Sequence, residues 1–242
     1  MVVVALLGLS TTACGDQTAA GQRERRHPYA AIEDMPESLG SDGTTIVVGD
    51  PSRMPVHLYE DMRCSVCQEF EVTGAGPALL DMTLGKEVRA EYTLVSLLDD
   101  RLGGTGSKKA ANALRAALEQ GKFAEYHAVL FRNQPDEQTD GFTDTFLLAM
   151  ASRVEGLRGP AFDSAVQEMR YANFVAASQK AYEDADAPGT PSAFTNGKRL
   201  PNGVLLTKDA LPLFVGGDRL LGAGRRSHPA QPWMASTSGT GS

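Results

Sequence analysis

The stretch EDMRCSVCQEF, residues 60–70, holds two of the three cysteines of this 242-residue chain, with two residues between them. An alternating run at 56–60 precedes it and predicts a strand. The pattern after Cys64 predicts a helix that is broken by the glycines and proline at 74–77. In a helix, positions i and i+3 lie on one face, so the sulfurs of Cys64 and Cys67 can meet with little backbone movement. The ring that they would close is small, so the bridge contributes little stability. Such a pair is suited to switching between dithiol and disulfide.

Cys64 is expected at the start of this helix, where free backbone N–H groups and the helix dipole favour an anion. The neighbouring Arg63 adds positive charge. We therefore expect Cys64 to be an exposed nucleophile with a lowered pKa, and Cys67 to be a shielded resolving thiol. A buried carboxylate beneath the second cysteine can accept its proton during exchange, which makes Glu60 a candidate proton acceptor. The alternative interpretation of Glu60 is a solvated charge at the end of the strand.

A metal site is a competing use of two closely spaced cysteines. Structural zinc takes four ligands and usually brings a second Cys-x-x-Cys or a pair of histidines. The chain has four histidines, His27, His57, His127 and His228. They are scattered without ligand spacing, so we predict no zinc site. A copper ion held by two thiolates and an inert structural pair stay open as alternatives.

Composition and charge limit the classes of partner. With 42% apolar and 22% charged residues, the chain is typical of soluble globular proteins, and its length suits one domain with an insertion. The formal net charge is −7, so the chain lacks the positive field that attracts phosphate backbones. We therefore predict no nucleic-acid partner.

The N-terminal region predicts export. An apolar run, VVVALLGL at 2–9, is shorter than the roughly 20 residues of a membrane-spanning helix, and small residues follow it. We expect a signal over residues 1–14, with Cys14 at the position of a lipid-modified cysteine. The alternatives are an ordinary cleaved signal with an incidental Cys14 and a buried N-terminal segment. The expected location is extracytoplasmic, either secreted or anchored by lipid at the outer face of the cell membrane. Residues 15–43 are polar and predict a flexible linker.

The remaining pattern predicts an α/β domain over residues 44–215. Strand signals at 44–50, 56–60 and 87–98 are followed by a helical insertion at about 103–185, whose last part, 162–185, reads as one long helix. Asn196-Gly197 between two apolar stretches predicts a hairpin. The Gly- and Ser-rich residues 222–242 predict a disordered tail.

Two motifs in this order carry a family resemblance. Cys-Ser-Val-Cys follows VHLYED, and Gly189-Thr190-Pro191 is followed by SAFTNGK. Over residues 44–215 the chain resembles the DsbA-like thiol-disulfide oxidoreductases of the thioredoxin superfamily, and YHAVLFRNQP at 126–135 is similar to part of their helical insertion. The resemblance implies a thioredoxin-like fold with an inserted helical domain. It also implies a cis Pro191 beside the cysteines and a Thr190 backbone that holds an incoming peptide as an added strand.

The resemblance predicts an exported oxidoreductase that needs no cofactor other than its Cys64–Cys67 disulfide. Its partners would be protein thiol or disulfide substrates and a membrane redox partner that reoxidises the pair. Strongly oxidising relatives often carry Pro-His between the cysteines, whereas this chain has Ser65-Val66, so the direction of exchange stays open. Arg63 is expected to offset the missing histidine. The alternatives are an extracytoplasmic reductase and a non-catalytic module that binds copper or clients.

Overall fold

A computed structural model describes residues 27–215, which form a mixed six-stranded sheet surrounded by helices. In chain order the strands are β1 (Glu37–Leu39), β2 (Ile46–Val48), β3 (Met54–Asp61), β4 (Val88–Val95), β5 (Ser192–Thr195) and β6 (Lys198–Arg199). Their order in space is β1-β2-β4-β3-β5-β6; β3 and β4 are parallel, and all other neighbours are antiparallel. The predicted α/β class is confirmed.

Strand β3 lies between β4 and β5 and positions the cysteine pair. Its alternating side chains Val56, Leu58 and Glu60 are all fully buried. Parallel neighbours need a crossover connection, and two helices supply it here, α1 (Ser65–Val72) and α2 (Gly76–Leu84). The cysteines therefore lie where β3 enters its crossover.

The break between α1 and α2 was expected from the glycines in this segment. At Gly74, a Cβ atom would lie 2.6 Å from the Leu205 carbonyl oxygen, so a larger residue does not fit. The Ala75 N–H donates to that same oxygen at 2.9 Å, which ties the break to the C-terminal part of the domain. The predicted interruption is confirmed, and its cause is a close backbone approach.

Six helices lie between β4 and β5, where the insertion was predicted. They are α3 (Leu97–Leu102), α4 (Gly106–Leu118), α5 (Phe123–Arg132), α6 (Asp144–Ala151), α7 (Pro160–Gln167) and α8 (Ala172–Glu183). Helix α4 is largely buried and packs against α5, α7 and α8, and α8 packs on β4. The insertion therefore has its own centre, α4, and is also attached to the sheet.

The single long helix predicted over residues 162–185 is wrong. The chain forms α7 and α8 instead, because Met169 takes a left-handed conformation with φ of 49°. Buried Asn112 compensates for the interruption. Its Nδ2 donates to the Ala165 carbonyl at 3.0 Å, and its Oδ1 accepts from the Tyr171 N–H at 2.8 Å. A side chain from α4 thus satisfies backbone groups that a continuous helix would satisfy itself.

The flexible linker predicted over residues 15–43 is wrong for residues 27–43. A short 3-10 helix covers Ile32–Asp34, and β1 pairs with β2. Glu37 on β1 accepts hydrogen bonds from the N–H groups of Phe123 and Ala124, at 2.8 and 2.7 Å. This carboxylate meets free donors at the start of α5, an attachment that local composition does not reveal.

The C-terminal part of the described chain agrees with the hairpin prediction. Asn196 and Gly197 have φ values of 50° and 70°, as a two-residue turn with left-handed central residues requires. The turn joins β5 to β6, and two short helices follow, α9 (Asn202–Leu205) and α10 (Leu211–Val215).

Residues 27–215 contain no helix with the length and apolarity needed to span a bilayer. The predicted signal over 1–14, Cys14 and the predicted tail over 222–242 lie outside the described residues.

Candidate active site

The turn between β3 and α1 presents Cys64 at the helix N-terminus. The Cys64 N–H donates to the Asp61 carbonyl at 3.0 Å, and the Asp61 carboxylate accepts from the Arg63 N–H at 2.9 Å, as in a turn that begins with Asp. Cys64 is the N-cap of α1, and its Sγ accepts from the Cys67 N–H at 3.3 Å. Both cysteines are free thiols. The expected position of Cys64 at a helix start is therefore confirmed.

The loop with Thr190 and Pro191 lies against Cys64. The Thr190–Pro191 peptide bond is cis, as the resemblance implied. The Cys64 Sγ–H donates to the Thr190 carbonyl at 3.4 Å. Strand pairing brings this loop here, because Tyr59 on β3 is opposite Ser192 at the start of β5. The structure thus brings together two motifs that are far apart in the sequence.

Cys64 is less accessible than predicted. Its side chain is 6% exposed, because the Thr190 loop lies over it. Cys67 is fully buried, whereas Val66 between the two cysteines is 41% exposed. The expectation of an exposed Cys64 is therefore wrong, although Cys64 is still the more accessible of the two sulfurs.

The two thiols have very different acidities. A hydrogen bond from the Cys67 side chain is the largest influence that lowers the pKa of Cys64, to about 7. The Thr190 side chain and the backbone N–H groups of Cys67 and Val66 also lower it, against the effect of burial. Burial raises the pKa of Cys67 well above its usual range, and Cys64 and the charge of Glu60 raise it further. The lower pKa of Cys64 agrees with its predicted role as nucleophile, and the higher pKa of Cys67 agrees with its predicted role as resolving thiol.

Arg63 does not have the electrostatic role expected from the sequence. Its guanidinium is 1% exposed and donates from Nη1 to Asp99 Oδ1 at 2.9 Å and to the Gly103 carbonyl at 2.7 Å. The charge is thus paired with Asp99, and Arg63 is not among the main groups that lower the pKa of Cys64. The expectation that Arg63 offsets a missing histidine is wrong, because this side chain attaches α1 to the insertion.

Glu60 lies in a buried acidic cluster next to the cysteines. It is fully buried, and its Oε2 lies 3.1 Å from His127 Nε2. Burial raises the pKa of Glu60 to about 8, and burial together with the charge of Glu60 raises the pKa of Glu71 to about 8. Burial lowers the pKa of His127, which packs against Phe123 and is neutral. The reading of Glu60 as a solvated strand-end charge is therefore wrong.

Glu60, Glu71 and His127 are also possible metal ligands, because their donor atoms lie within 4.8 Å of one another. Two carboxylates and an imidazole suit zinc. At neutral pH both carboxyl groups hold protons, which a metal would have to displace. A proton shared between the carboxyl groups accounts for the two buried Oε1 atoms without another partner. The prediction that the chain needs no metal stays a prediction.

A loop of the insertion, residues 133–143 between α5 and α6, closes over the start of α1. Gln134 Nε2 donates to the carbonyls of Met62 and Cys64, at 2.7 and 2.9 Å. The Glu137 carboxylate accepts from the Ser65 N–H at 2.8 Å and also from the Ser65 hydroxyl. The insertion therefore contacts the backbone of the cysteine motif directly.

Two acidic residues of this site were missed at the sequence level. Glu71 follows Cys67 by four positions in a predicted helix, so its place on the same face was recoverable from spacing. Glu137 is separated from Ser65 by 72 positions, and no local pattern marks it.

Comparison with known families agrees with this geometry. A family model described as "Thioredoxin" matches residues 41–206. The chain belongs to the thioredoxin family. Its fold resembles MdbA, a thiol-disulfide oxidoreductase of Actinomyces oris, with a TM-score of 0.61 and 22% identity over 73% of this chain and 89% of that one. It also resembles oxidised BdbD of Bacillus subtilis, with a TM-score of 0.64 and 19% identity over 74% and 94%.

One curated relative matches this member of the thioredoxin family. The Na(+)/H(+) antiporter NhaA 3 of Salinispora tropica is 30% identical over 158 residues, 63% of this chain. This chain spans 22% of the length of that relative.

The family model and the two solved structures confirm the DsbA-like fold of the thioredoxin family. The roles of Cys64, Cys67, Thr190 and Pro191 stay predictions.

Proposed function

We propose that this protein is a thiol-disulfide oxidoreductase that exchanges disulfides with protein substrates through Cys64 and Cys67. The observation that carries the proposal is the position of the Cys64 sulfur at the N-terminus of α1, beside the Thr190 loop. There the pKa of Cys64 is lowered to about 7, so a large fraction of it is thiolate at neutral pH, and the thiolate is the nucleophile in exchange. The description of MdbA as a thiol-disulfide oxidoreductase supports the same reaction.

In the oxidising direction, a substrate thiolate attacks Cys64 Sγ of the Cys64–Cys67 disulfide. The bond between the two enzyme sulfurs breaks, a mixed disulfide forms at Cys64, and Cys67 leaves as a thiolate. A second substrate thiolate then attacks the substrate sulfur, which releases the Cys64 thiolate. Two electrons pass from the substrate dithiol to the enzyme pair, and a membrane partner with its own disulfide would accept them.

Glu60 and Glu71 serve proton transfer to and from Cys67 in this proposal. A Cys67 thiolate is unfavourable in its buried place, and the neutral carboxyl group of Glu60 can supply a proton as the sulfur leaves. Reoxidation returns that proton to Glu60. Glu60 is fully buried, so in this proposal it exchanges protons with solvent through Glu71. Glu71 lines a surface pocket together with Leu80 and Phe131.

The Thr190 loop binds the substrate backbone in this proposal. An extended peptide would lie along Thr190 and Pro191 as an added strand, which brings its cysteine to Cys64. The nearly buried Cys64 makes this contact necessary, because a substrate must enter beside the loop to reach the sulfur.

The proposal includes an extracytoplasmic location, in which the protein is either secreted or held at the outer face of the cell membrane by a lipid anchor at Cys14. The apolar run at 2–9 and the small residues that follow it support export. Structural disulfides persist in such oxidising compartments, where an enzyme of this class finds its substrates.

Two substitutions test the proposal. Cys64→Ser should abolish oxidation of a reduced, unfolded client protein, because it removes the attacked sulfur. Cys67→Ser should keep the Cys64 thiolate, which attacks a client protein that contains a disulfide, expels one client thiolate and accumulates as a mixed disulfide visible on a non-reducing gel. Cys14→Ser is the matched control in a soluble form of the full chain and should leave both reactions unchanged. Unchanged client oxidation in Cys64→Ser, or no trapped species in Cys67→Ser, would refute the proposal.

The direction of exchange is tested by the reduction potential of the pair in glutathione buffers. A value near that of thioredoxin, about −270 mV, would favour the reductase alternative, and a value near −120 mV would favour an oxidase. Tight copper uptake by the reduced protein without client oxidation would favour the non-catalytic alternative.

A further inference from the structure

The N–H groups of the first turn of α1 are divided between two acceptors. Those of Val66 and Cys67 interact with the Cys64 sulfur and lower its pKa. The N–H of Ser65, the first residue of the helix, donates instead to Glu137 Oε2 at 2.8 Å. Two groups that can carry negative charge therefore use one helix N-terminus.

Glu137 is held in this position by its own loop. The Arg63 Nη2 donates to the Glu137 carbonyl at 3.2 Å, and the Arg63 side chain is buried. Gln134, earlier in the loop, is bonded to the carbonyls of Met62 and Cys64. Glu137 is thus attached to the cysteine motif through both its side chain and its backbone carbonyl.

The contact depends on the identity of the residue at position 65. Serine supplies two donors to Glu137, its N–H and its hydroxyl. A proline at this position would supply neither, since it has no N–H and no hydroxyl. The Ser-Val dipeptide between the cysteines is thus matched to an acidic residue of the insertion.

We propose that Glu137 is a positioning residue that weakens the stabilisation of the Cys64 thiolate by helix α1. It takes the Ser65 N–H for itself and places a negative charge at the N-terminus that also serves the sulfur. A less stabilised thiolate makes the reduced pair less favourable, so the disulfide is a weaker oxidant than the motif alone would produce. Glu137 thereby sets the strength of the exchange reaction.

The other titratable groups around Cys64 do not take up the Ser65 N–H. Cys67 lies on the same helix, and Glu60 lies at the end of β3; both are buried and have raised pKa values. The guanidinium of Arg63 is paired with Asp99. Glu137 is the acidic group, within the described part of the chain, that contacts the first N–H of α1.

The test removes the charge and keeps the acceptor. In Glu137→Gln, the amide oxygen can still accept from Ser65, so the loop keeps its contact. The thiolate of the reduced protein is titrated by its absorbance at 240 nm, and the pair is equilibrated with glutathione. We expect the thiolate-to-thiol ratio of Cys64 at a given pH to rise about threefold or more. The glutathione equilibrium should shift by a similar factor towards the reduced pair.

Asp136→Asn is the matched control, because it removes one charge from the adjacent position of the same loop. Asp136 is exposed, and its carboxylate accepts from Gln138 within the loop rather than from α1. The control should change the titration by clearly less than Glu137→Gln does. Equal shifts in the two variants would overturn the proposal, since the effect would then be one of general charge.

Ser65→Ala separates the charge of Glu137 from its hydroxyl contact. It removes the hydroxyl donor and keeps both the N–H contact and the carboxylate, so it should shift the Cys64 titration clearly less than Glu137→Gln does. A shift in Ser65→Ala as large as that in Glu137→Gln would contradict the proposal.

The inference rests on the proposed function, and the two can fail separately. If wild-type protein neither oxidises a client nor forms mixed disulfides, the proposed function is wrong. If wild-type protein is active but the Cys64 titration and the glutathione equilibrium are the same in Glu137→Gln, the inference alone is wrong.

Discussion

Cys64 and Cys67 are one helical turn apart, yet their sulfurs have opposite environments. The Cys64 sulfur receives hydrogen bonds that favour its anion, whereas Cys67 is fully buried beside Glu60. In the proposed reaction this asymmetry favours attack at Cys64, because Cys64 is the more accessible sulfur and Glu60 can protonate Cys67 as it leaves. We therefore expect Glu60, next to Cys67, to affect the exchange reaction as well as Ser65 and Val66 between the cysteines.

Glu60 should make the stability of the protein depend on pH. Its pKa is raised from 4.5 to about 8, chiefly by burial, so the folded state holds a proton that the unfolded state releases between these values. Its contribution to stability is fully present below pH 4.5 and is lost as the pH rises towards 8. Glu60→Gln, which resembles the neutral form, should exceed the unfolding free energy of wild type by no more than about 1 kcal/mol at pH 5 and by a few kcal/mol at pH 9.

Urea denaturation of the oxidised protein at the two pH values checks this expectation. Glu69→Gln is the control, because Glu69 is an exposed glutamate on α1, the helix that follows β3. The interpretation of Glu60 as a buried neutral acid is wrong if Glu60→Gln and wild type differ equally at both pH values.

At the scale of secondary-structure elements, the loop at 133–143 depends on Gln134. One amide nitrogen bonds two carbonyls of the turn before α1. In Gln134→Ala those carbonyls lose their donor, and we expect the free energy of unfolding to fall by about 1–3 kcal/mol. Amide exchange of the first turn of α1 should also become faster, since the loop that covers it is released.

Denaturant titration and hydrogen exchange measure these two effects. Gln138→Ala, at an exposed position of the same loop, should change neither. If Gln134→Ala and Gln138→Ala behave alike, the loop is not held by this amide.

Elements with a strong local pattern could be predicted from the sequence, and those made by distant contacts could not. The alternation in β3 and the Asn196-Gly197 turn are local signals, and both elements formed as expected. Strand β1 is a three-residue segment with a polar sequence, and pairing with β2 makes it a strand. The break at Met169 is likewise stabilised by Asn112 of another helix.

The same distinction applies to the candidate site. The cysteine pair and the Thr190-Pro191 loop were recognisable because each is a short motif. Arg63 was misread, since its partner Asp99 lies on another element and only the fold brings the two charges together. Burial of Glu60 likewise depends on packing by His127 of the insertion.

At the scale of the whole molecule, Glu37 joins the first strand to the helical insertion. Its carboxylate accepts from two N–H groups at the start of α5. In Glu37→Ala those donors lose their partner, and the unfolding free energy should fall by about 1–3 kcal/mol. The change is measured by thermal or urea denaturation.

Glu33→Ala is the control for this substitution, because Glu33 is an exposed acidic residue on the same N-terminal segment. It should leave the unfolding free energy nearly unchanged. A Glu37→Ala protein as stable as Glu33→Ala would show that residues 27–43 contribute little to holding the insertion on the sheet.

The two outer strands of the sheet affect the tendency of this protein to aggregate at high concentration. An outer strand offers unpaired backbone groups that can recruit another chain and start aggregation. Here β1 has three residues and β6 has two, and both residues of β6, Lys198 and Arg199, are exposed cations. Short length on one side and like-charge repulsion on the other disfavour polymerisation through the sheet, a useful safeguard for a protein that would work among unfolded chains.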